Sequence, residues 1–310
     1  MTTESAGVRF RPATDADVPA AYMVFRRSLA DYLARIGMGD PSMAEDSAIA
    51  TAWASQRPWM EHLVTTAGEH WVAIDDHGAI VGWALSVETD GLLELAMFFV
   101  EPGVQARGIG RGLLELAFPI ARGRHRAIIA TLDPRALGLY LRFGVSHQTI
   151  AADFVVRPRA SELETDLDIV RLQPGGVGPE AVAAIEFALT GHRRPMDHAF
   201  LADLRPSWVA RRAGEAVGFA YGATPGGYSA GPIAALEARD LPALLAVVEN
   251  DAAAQMTEEF AFTVPLSATV AVDHLLSRGA KIDPFYILIL ADGPWLKADR
   301  WILTGPGFVI

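Results

Sequence analysis

Residues 98–114 read FFVEPGVQARGIGRGLL, and this stretch says most about the fold. It continues an apolar run that starts at Leu92, and it leads into a segment whose apolar residues recur at helical spacing. The sequence therefore predicts a strand over 92–100, a glycine turn and a helix over 110–121. Backbone N–H groups without partners collect at such a helix N-terminus, where the helix dipole helps them to bind an anion.

The two glycines of the turn indicate which anion it binds. Gly108 and Gly110 lack the Cβ atoms that would hold a phosphate away from the backbone, so a diphosphate would fit. A dinucleotide-binding turn would need a third glycine where Leu113 stands, and a P-loop would need Gly-Lys-Ser/Thr. Both of these patterns are absent.

The pattern Gln105-x-x-Gly108-x-Gly110 resembles the pyrophosphate loop of the GNAT acyltransferase superfamily, which binds acetyl-CoA. A second motif supports this resemblance. Residues 133–145 read DPRALGLYLRFGV, which is similar to the family's N-x-x-A-x-x-L-Y-x-x-x-G-F segment. Asp133 replaces the usual asparagine, which affects an amide contact to the pantetheine arm, and Val145 replaces the usual phenylalanine, which affects packing.

The surrounding pattern predicts an α/β (α+β) fold. A strand at 8–11, an amphipathic helix from Val18, a hairpin at 71–87, the strand at 92–100, a strand at 127–132, a helix at 136–143 and a strand at 147–156 follow in this order. This order is similar to that of a whole GNAT domain. The resemblance implies a mixed, mostly antiparallel twisted sheet flanked by helices.

The second half of the chain repeats the first. Trp208-Val209-Ala210 restates Trp71-Val72-Ala73, and Val217-Gly218-Phe219-Ala220 restates Val81-Gly82-Trp83-Ala84. We therefore expect two tandem GNAT-like domains, 1–158 and 166–310, joined by a polar segment near Pro158. The alignment puts Arg239 and Leu241 at the two glycine positions and Leu275 at the position of Tyr140, so the C-terminal copy is expected to be degenerate and inactive.

The resemblance implies catalytic roles for two residues. Glu94, on the strand before the turn, stands where some family members carry a general base, and Tyr140 stands where the family has its general acid toward the departing thiolate. The alternatives remain open: Glu94 could pair with an arginine or face solvent, and Tyr140 could pack under the cofactor.

The cofactor-binding residues expected from the resemblance form two groups. The backbone N–H groups of the strand would bind the pantetheine arm and the oxyanion, and the turn would bind the diphosphate. Arg107 and Arg111 could add charge to the phosphates or could be solvated. The residues are Phe98, Phe99, Val100, Gln105, Ala106, Arg107, Gly108, Ile109, Gly110 and Arg111.

Composition narrows the class of protein. The 310 residues include no cysteine, which excludes disulfides and a thiol nucleophile, and the net charge of -11 argues against a nucleic-acid partner and mildly favours a cationic acceptor. No signal or membrane segment is evident, so we expect a cytoplasmic protein. The histidines show no ligand spacing, so no metal is expected, and the polar segment 191–198 is expected to be a surface loop.

These observations predict an acetyl-CoA-dependent N-acetyltransferase. It would move an acetyl group to a primary amine of a small molecule or peptide by direct attack in a ternary complex. The alternative is a non-catalytic acyl-CoA-binding sensor or interaction module. The long segment 30–70, which mixes aromatic and acidic residues, could either bind the acceptor or form two core helices with acidic caps, and the sequence leaves the acceptor open. The C-terminal half could close the acceptor pocket, mediate homodimerisation or only stabilise the N-terminal half.

Overall fold

The computed structural model describes residues 3–5, 7–105, 108–162, 165–173, 179–224 and 227–304. The chain divides into two compact units. Met1–Ile128 and Asp133–Val145 form the N-terminal unit, and Ile129–Leu132 and Ser146–Ile310 form the C-terminal unit.

The N-terminal unit is built on strands in the sheet order β1-β2-β3-β4-β5-β6, antiparallel except for the parallel pair β5 and β6. Its strands are β1 (Thr3–Ser5), β2 (Val8–Pro12), β3 (Ala67–Asp75), β4 (Ile80–Thr89), β5 (Leu92–Val100) and β6 (His125–Thr131), the last of which crosses the division. Its helices are α1 (Val18–Arg35), α2 (Asp46–Thr66), α3 (Ile109–Ala117) and α4 (Pro134–Arg142).

The element order predicted from the sequence is confirmed for this unit, and the strand at 92–100 is confirmed residue for residue. Several boundaries differ from the prediction by one to four residues. The helix predicted over 110–121 ends at Ala117, because Pro119 follows two residues later and has no N–H group with which to continue the helix. In the segment 30–70, the reading as two helices is confirmed, and Asp40 caps a 3₁₀ turn between them by accepting a hydrogen bond from Ser42 N.

The C-terminal unit has two sheets, in the strand orders β14-β7-β13-β11 and β15-β12-β10-β9-β8. Its strands are β7 (Ser146–Val156), β8 (Asp168–Arg171), β9 (Ser207–Arg212), β10 (Glu215–Tyr221), β11 (Ser229–Ala230), β12 (Ile233–Ala235), β13 (Phe260–Pro265), β14 (Lys281–Ala291) and β15 (Trp301–Ile302). Its helices are α5 (Pro179–Thr190), α6 (Pro195–Leu204), α7 (Leu241–Ala254) and α8 (Thr269–Ser277).

The strand β7 differs in its grouping from the sequence-based division at residue 158. It is hydrogen-bonded to β13 on one side and to β14 on the other, so it belongs to the C-terminal unit. The pairing of β7 with strands far along the chain places it in the C-terminal unit. The composition of a linker segment cannot show such pairing.

The internal repeat is visible in the packing of each unit. In the N-terminal unit, a Cβ atom on Gly82 of β4 would lie 2.9 Å from Leu113 Cδ1 of α3. In the C-terminal unit, a Cβ atom on Gly218 of β10 would lie 2.8 Å from Leu244 Cδ1 of α7. Each unit therefore packs a leucine of the corresponding helix directly onto a glycine of the corresponding strand.

The polar segment 191–198 is not a surface loop, which corrects the expectation from sequence. His192, Arg194, Asp197 and His198 are all at most 5% exposed. Glu186 of α5 is fully buried and accepts hydrogen bonds from Arg194 N at 2.9 Å and Arg194 Nε at 2.8 Å. The imidazole of His198 lies 3.1 Å from the same carboxylate and 3.0 Å from Tyr221 Oη.

Glu186 is held in its charged form by these partners. Burial raises its pKa, but the charge of Arg194 and the hydrogen bond from His198 outweigh this effect and lower the pKa to about 2. Because the folded-state pKa lies below the ordinary value of 4.5, the group stabilises the fold above pH 4.5, and this contribution is lost as the pH falls towards 2.

Glu186→Leu should lower the free energy of unfolding by about 3–5 kcal/mol, because it leaves the buried Arg194 guanidinium without its main counter-charge. Urea denaturation at pH 7 measures this change. Glu180→Leu on the exposed side of the same helix is the control and should change stability by less than about 0.5 kcal/mol. The difference between Glu186→Leu and the wild type should shrink below pH 4.5, and a difference that is constant down to pH 3 would contradict the electrostatic explanation.

Candidate active site

The hydrogen-bond pairing of β5 changes at Ala96. Leu85 of β4 pairs with Met97 and Ser86 pairs with Leu95, so Ala96 is an extra residue in a β-bulge. On the other side of β5, the parallel pairing with β6 runs only from Leu92 to Leu95. The second half of β5 is therefore paired along one edge by β4 and is no longer paired by β6 along the other.

The hydrogen-bond alternation shows which backbone groups face the edge that β6 has left. Glu101 N donates to Val81 O at 2.9 Å, so the groups of Phe99 are bonded to β4 and those of Phe98 and Val100 point away from it. The Val100 carbonyl indeed accepts hydrogen bonds on the open side, from Ser28 Oγ at 2.9 Å and Gln105 Nε2 at 3.0 Å. Of the three strand residues predicted from sequence, two therefore present backbone groups to the edge.

Phe99 contributes in a different way. Its ring lies 4.7 Å, centroid to centroid, from the ring of Phe25 on α1. The side chain of Phe99 thus packs β5 against α1, and its backbone groups are hydrogen-bonded to β4.

The glycine turn begins α3 as the sequence predicts. Gly108 is the N-cap residue with φ at 79°, a left-handed conformation that favours glycine, and Gly112 N donates the first bond of the helix to Gly108 O at 3.0 Å. The N–H groups of residues 109–111 therefore precede the intrahelical bonding pattern and form the mouth of the helix. Ala106 and Arg107, which the sequence also predicts as ligands, lie outside the described residues.

Gly110 has a packing role that the sequence did not show. A Cβ atom at this position would lie 3.2 Å from Phe98 Cζ and 3.5 Å from Leu139 Cδ2. Its missing side chain lets α3, β5 and α4 approach closely. Arg111 is exposed and forms an ion pair with Glu115 one turn later, with Nε and Oε1 2.8 Å apart.

Tyr140 and Glu94 lie on opposite faces of β5. Tyr140 packs edge-on against Phe98, with ring centroids 5.7 Å apart, and Phe98 belongs to the face covered by α3. Glu94 lies on the other face, because it neighbours Leu95, whose partner Ser86 bonds to Ala117 O of α3. The face of Glu94 also bears Phe99 and is covered by α1.

The two residues are also both buried. Glu94 is 4% exposed and Tyr140 is 5% exposed. Burial raises the pKa of Tyr140, and the charge of Asp133 raises it further, so the phenol keeps its proton throughout the neutral range.

A charged network, which we call the Asp133 network, connects the start of α4 to α1 and to the glycine turn. Asp133 accepts hydrogen bonds from Arg135 N at 3.0 Å, from Arg135 Nη2 at 2.9 Å and from Arg35 Nη2 at 2.7 Å. Arg135 Nη1 donates to Gln105 Oε1 at 2.5 Å, and Asp31 lies 3.0 Å from Arg35 Nε. Burial raises the pKa of Asp133, but the hydrogen bonds from Arg135 and Arg35 outweigh it and lower the pKa to about 2.

This network explains the departure of Asp133 from the family pattern. A carboxylate here can accept from two guanidinium groups and cap α4, whereas the usual amide could not balance their charge. Ser28, Arg35 and Arg135 were missed by sequence reasoning. Arg135 lies inside the second motif, but no spacing rule relates it to Gln105, thirty residues earlier.

The corresponding helix N-terminus of the C-terminal unit, that of α7, carries larger side chains in place of the glycines. Leu241 is fully buried, and Asp240 immediately before it accepts hydrogen bonds from Arg212 Nη1 at 3.1 Å and Nη2 at 2.6 Å. Leu275, at the position that corresponds to Tyr140, is also fully buried. A carboxylate of the chain itself thus stands at this helix N-terminus beside an arginine, and the copy is degenerate at both motifs.

The comparisons with known proteins agree with this geometry. A model of the acetyltransferase (GNAT) family matches residues 39–145, which hold β3 to β6, the glycine turn and α4. Residues 39–145 therefore form a domain of the GNAT type. The family of this domain is one of acetyltransferases.

Solved structures show that the fold of the whole chain is shared. A putative acetyltransferase from Pyrococcus horikoshii is 16% identical with a TM-score of 0.69, over 96% of this chain and 94% of that one. A GCN5-related N-acetyltransferase from Sphaerobacter thermophilus is 16% identical with a TM-score of 0.61, over 96% and 100%. A tandem GNAT protein from the clavulanic acid biosynthesis pathway is 15% identical with a TM-score of 0.54, over 93% and 99%.

The likeness to a tandem GNAT protein over nearly the full length supports the two-domain organisation. No curated protein matches the sequence. Within the described ranges, no three histidine or acidic side chains are grouped as a metal would require, and no helix combines the length and apolarity that crossing a bilayer takes.

Gly108→Ala should lower the free energy of unfolding by about 1 kcal/mol, because alanine at a φ of 79° is strained. Gly108→Asn should cost less, since asparagine tolerates the left-handed region. Thermal unfolding of the purified variants measures both. The matched control is Gly138→Ala on α4, where a Cβ atom meets nothing within 4 Å and the helix should be slightly stabilised. Equal destabilisation by the alanine and asparagine variants would contradict the proposed strain.

Proposed function

We propose that this GNAT protein is an acetyl-CoA-dependent N-acetyltransferase that acts on a primary amine of a small molecule or peptide. The observation that carries the proposal is the open edge of β5 after Ala96, which lies beside the mouth of α3. Backbone donors of Phe98 and Val100 at this edge suit an extended pantetheine arm, and the N–H groups of residues 109–111 suit a diphosphate. In the described part of the C-terminal unit, β12 is paired on both edges and Asp240 is the N-cap residue of α7, so activity would reside in the N-terminal unit.

The two faces of β5 would divide the reaction between them. On the α1 face, Glu94 would take a proton from the attacking amine, directly or through a water molecule. The amine would attack the thioester carbonyl in a ternary complex, and backbone N–H groups of the open edge would stabilise the oxyanion. On the α3 face, the protonated phenol of Tyr140 would donate its proton to the departing thiolate.

The physical argument for these roles is the placement of the two groups. In the tetrahedral intermediate the amine and the sulfur are different substituents of the carbonyl carbon, so a base and an acid that approach from different directions suit the two proton transfers. The phenol of Tyr140 carries its proton at neutral pH, as a general acid must before it acts. The net charge of -11 favours a cationic acceptor in the surrounding field.

Acetyl-CoA should raise the melting temperature of the full chain, because a ligand that binds only the folded state adds about 2.7 kcal/mol at 100 times its Kd. Gly108→Arg should abolish this shift by placing a side chain at the turn. Gly138→Arg, at an open position of α4, is the control and should retain the shift. Absence of a shift with the wild type would refute both the enzyme and the sensor alternatives.

Tyr140→Phe should lower kcat by about a hundredfold while leaving acetyl-CoA binding unchanged, because it removes the proton and keeps the ring against Phe98. Release of free thiol, measured over a panel of amines, amino acids and peptides, provides the rate. Glu94→Gln should lower kcat/KM at neutral pH and recover as the pH approaches the pKa of the acceptor amine. Binding of acetyl-CoA without turnover of any acceptor would favour the non-catalytic sensor.

A further inference from the structure

Arg135 belongs to the Asp133 network and contacts the proposed acyl-CoA site only through Gln105. The guanidinium of Arg135 donates to Asp133 through Nε at 3.2 Å and Nη2 at 2.9 Å, and to Gln105 through Nη1. Gln105 is the first residue of the glycine turn. Arg135 therefore connects the start of α4 with the start of the turn by charge-assisted hydrogen bonds.

The orientation of the Gln105 amide depends on this contact. Its oxygen accepts from Arg135, and its nitrogen donates to Val100 O at 3.0 Å. A rotation of the amide by 180° would place its NH₂ group against the guanidinium and its oxygen against the carbonyl, and both contacts would be repulsive. Arg135 thus selects the orientation in which Gln105 binds the open edge of β5.

We infer that Arg135 is a positioning residue for the acyl-CoA site: it orients Gln105 and so holds the start of the glycine turn against the edge of β5. The inference rests on the proposed function of this site. Asp133 fixes the plane of the Arg135 guanidinium, because it accepts two hydrogen bonds from it. Asp133 is itself held by a hydrogen bond from Arg35 at the end of α1. The aspartate in place of the family's asparagine is what lets this chain hold an arginine there.

The planar fork of arginine is essential to this role. One guanidinium spans the Asp133 carboxylate and the Gln105 amide at the same time, whereas a single lysine ammonium is a point charge on a flexible stem and cannot hold both in fixed geometry. The side chain of Arg135 is 50% exposed, so its contribution to the stability of the fold is small and its loss should leave the chain folded.

The test is isothermal titration of the full chain with acetyl-CoA. Arg135→Ala should raise Kd about tenfold, which corresponds to about 1.4 kcal/mol. Arg135→Lys should raise Kd nearly as much, because charge alone does not orient the amide. Arg142→Ala in the last turn of the same helix removes an exposed arginine and should leave Kd unchanged. Unliganded melting temperatures of the three variants should lie within a few degrees of the wild type.

A double-mutant cycle with Gln105→Ala separates positioning from direct contact. If Arg135 acts through Gln105, the double variant should bind acetyl-CoA about as weakly as the weaker single variant. The ratio of Kd values for dephospho-coenzyme A and coenzyme A should also be the same in Arg135→Ala and the wild type. Additive losses, or a ratio that changes, would show that Arg135 binds a phosphate directly and would overturn the inference.

The failures of the two proposals are distinguishable. A wild type that does not bind acetyl-CoA refutes the proposed function, and the positioning role with it. A wild type that binds acetyl-CoA, together with an Arg135→Ala variant of equal affinity, refutes the positioning role alone. Retention of wild-type affinity by Arg135→Lys would likewise refute it in favour of a simple charge effect.

Discussion

The site depends on one irregularity of the sheet, the β-bulge at Ala96. A bulge bends its strand and increases the local twist, and here it coincides with the end of the pairing between β5 and β6. Backbone N–H and C=O groups seldom remain without partners in a folded protein. The groups of β5 that β6 no longer pairs therefore need other hydrogen-bond partners. The chain supplies two of these hydrogen bonds itself, because Ser28 and Gln105 both donate to the carbonyl of Val100.

Close packing brings the second half of the site to this edge. The ring of Phe98 lies under the position where Gly110 lacks a side chain, and Leu139 of α4 approaches the same point. The mouth of α3 is therefore fixed relative to β5 by side-chain contacts that involve no ligand. Tyr140 follows Leu139 in sequence and contacts the same phenylalanine, so one packing arrangement sets both the turn and the phenol.

The two units share a contact of the core but differ at the N-terminus of the corresponding helix. Each unit keeps a leucine of its helix against a glycine of its strand, because a loss there would leave a void or a clash in the core. The helix mouths differ. Asp240, which is bonded to Arg212, is the N-cap residue of α7, whereas the glycine Gly108 is the N-cap residue of α3. Core contacts stabilise the fold itself, whereas a ligand site can be lost without cost to folding.

The sequence by itself determined the element order, the position of the turn before α3, the internal repeat and the resemblance of residues 39–145 to the GNAT family. These features follow from local periodicity, from glycine at a left-handed position such as Gly108, and from motifs within a few residues of each other. Only the tertiary structure decided that β7 belongs to the C-terminal unit, that the segment around His198 is buried, and that Arg135 bonds to Gln105. Each of these depends on contacts between residues far apart in the chain, and such contacts are selected by the packing of the whole unit, which leaves no trace in local spacing.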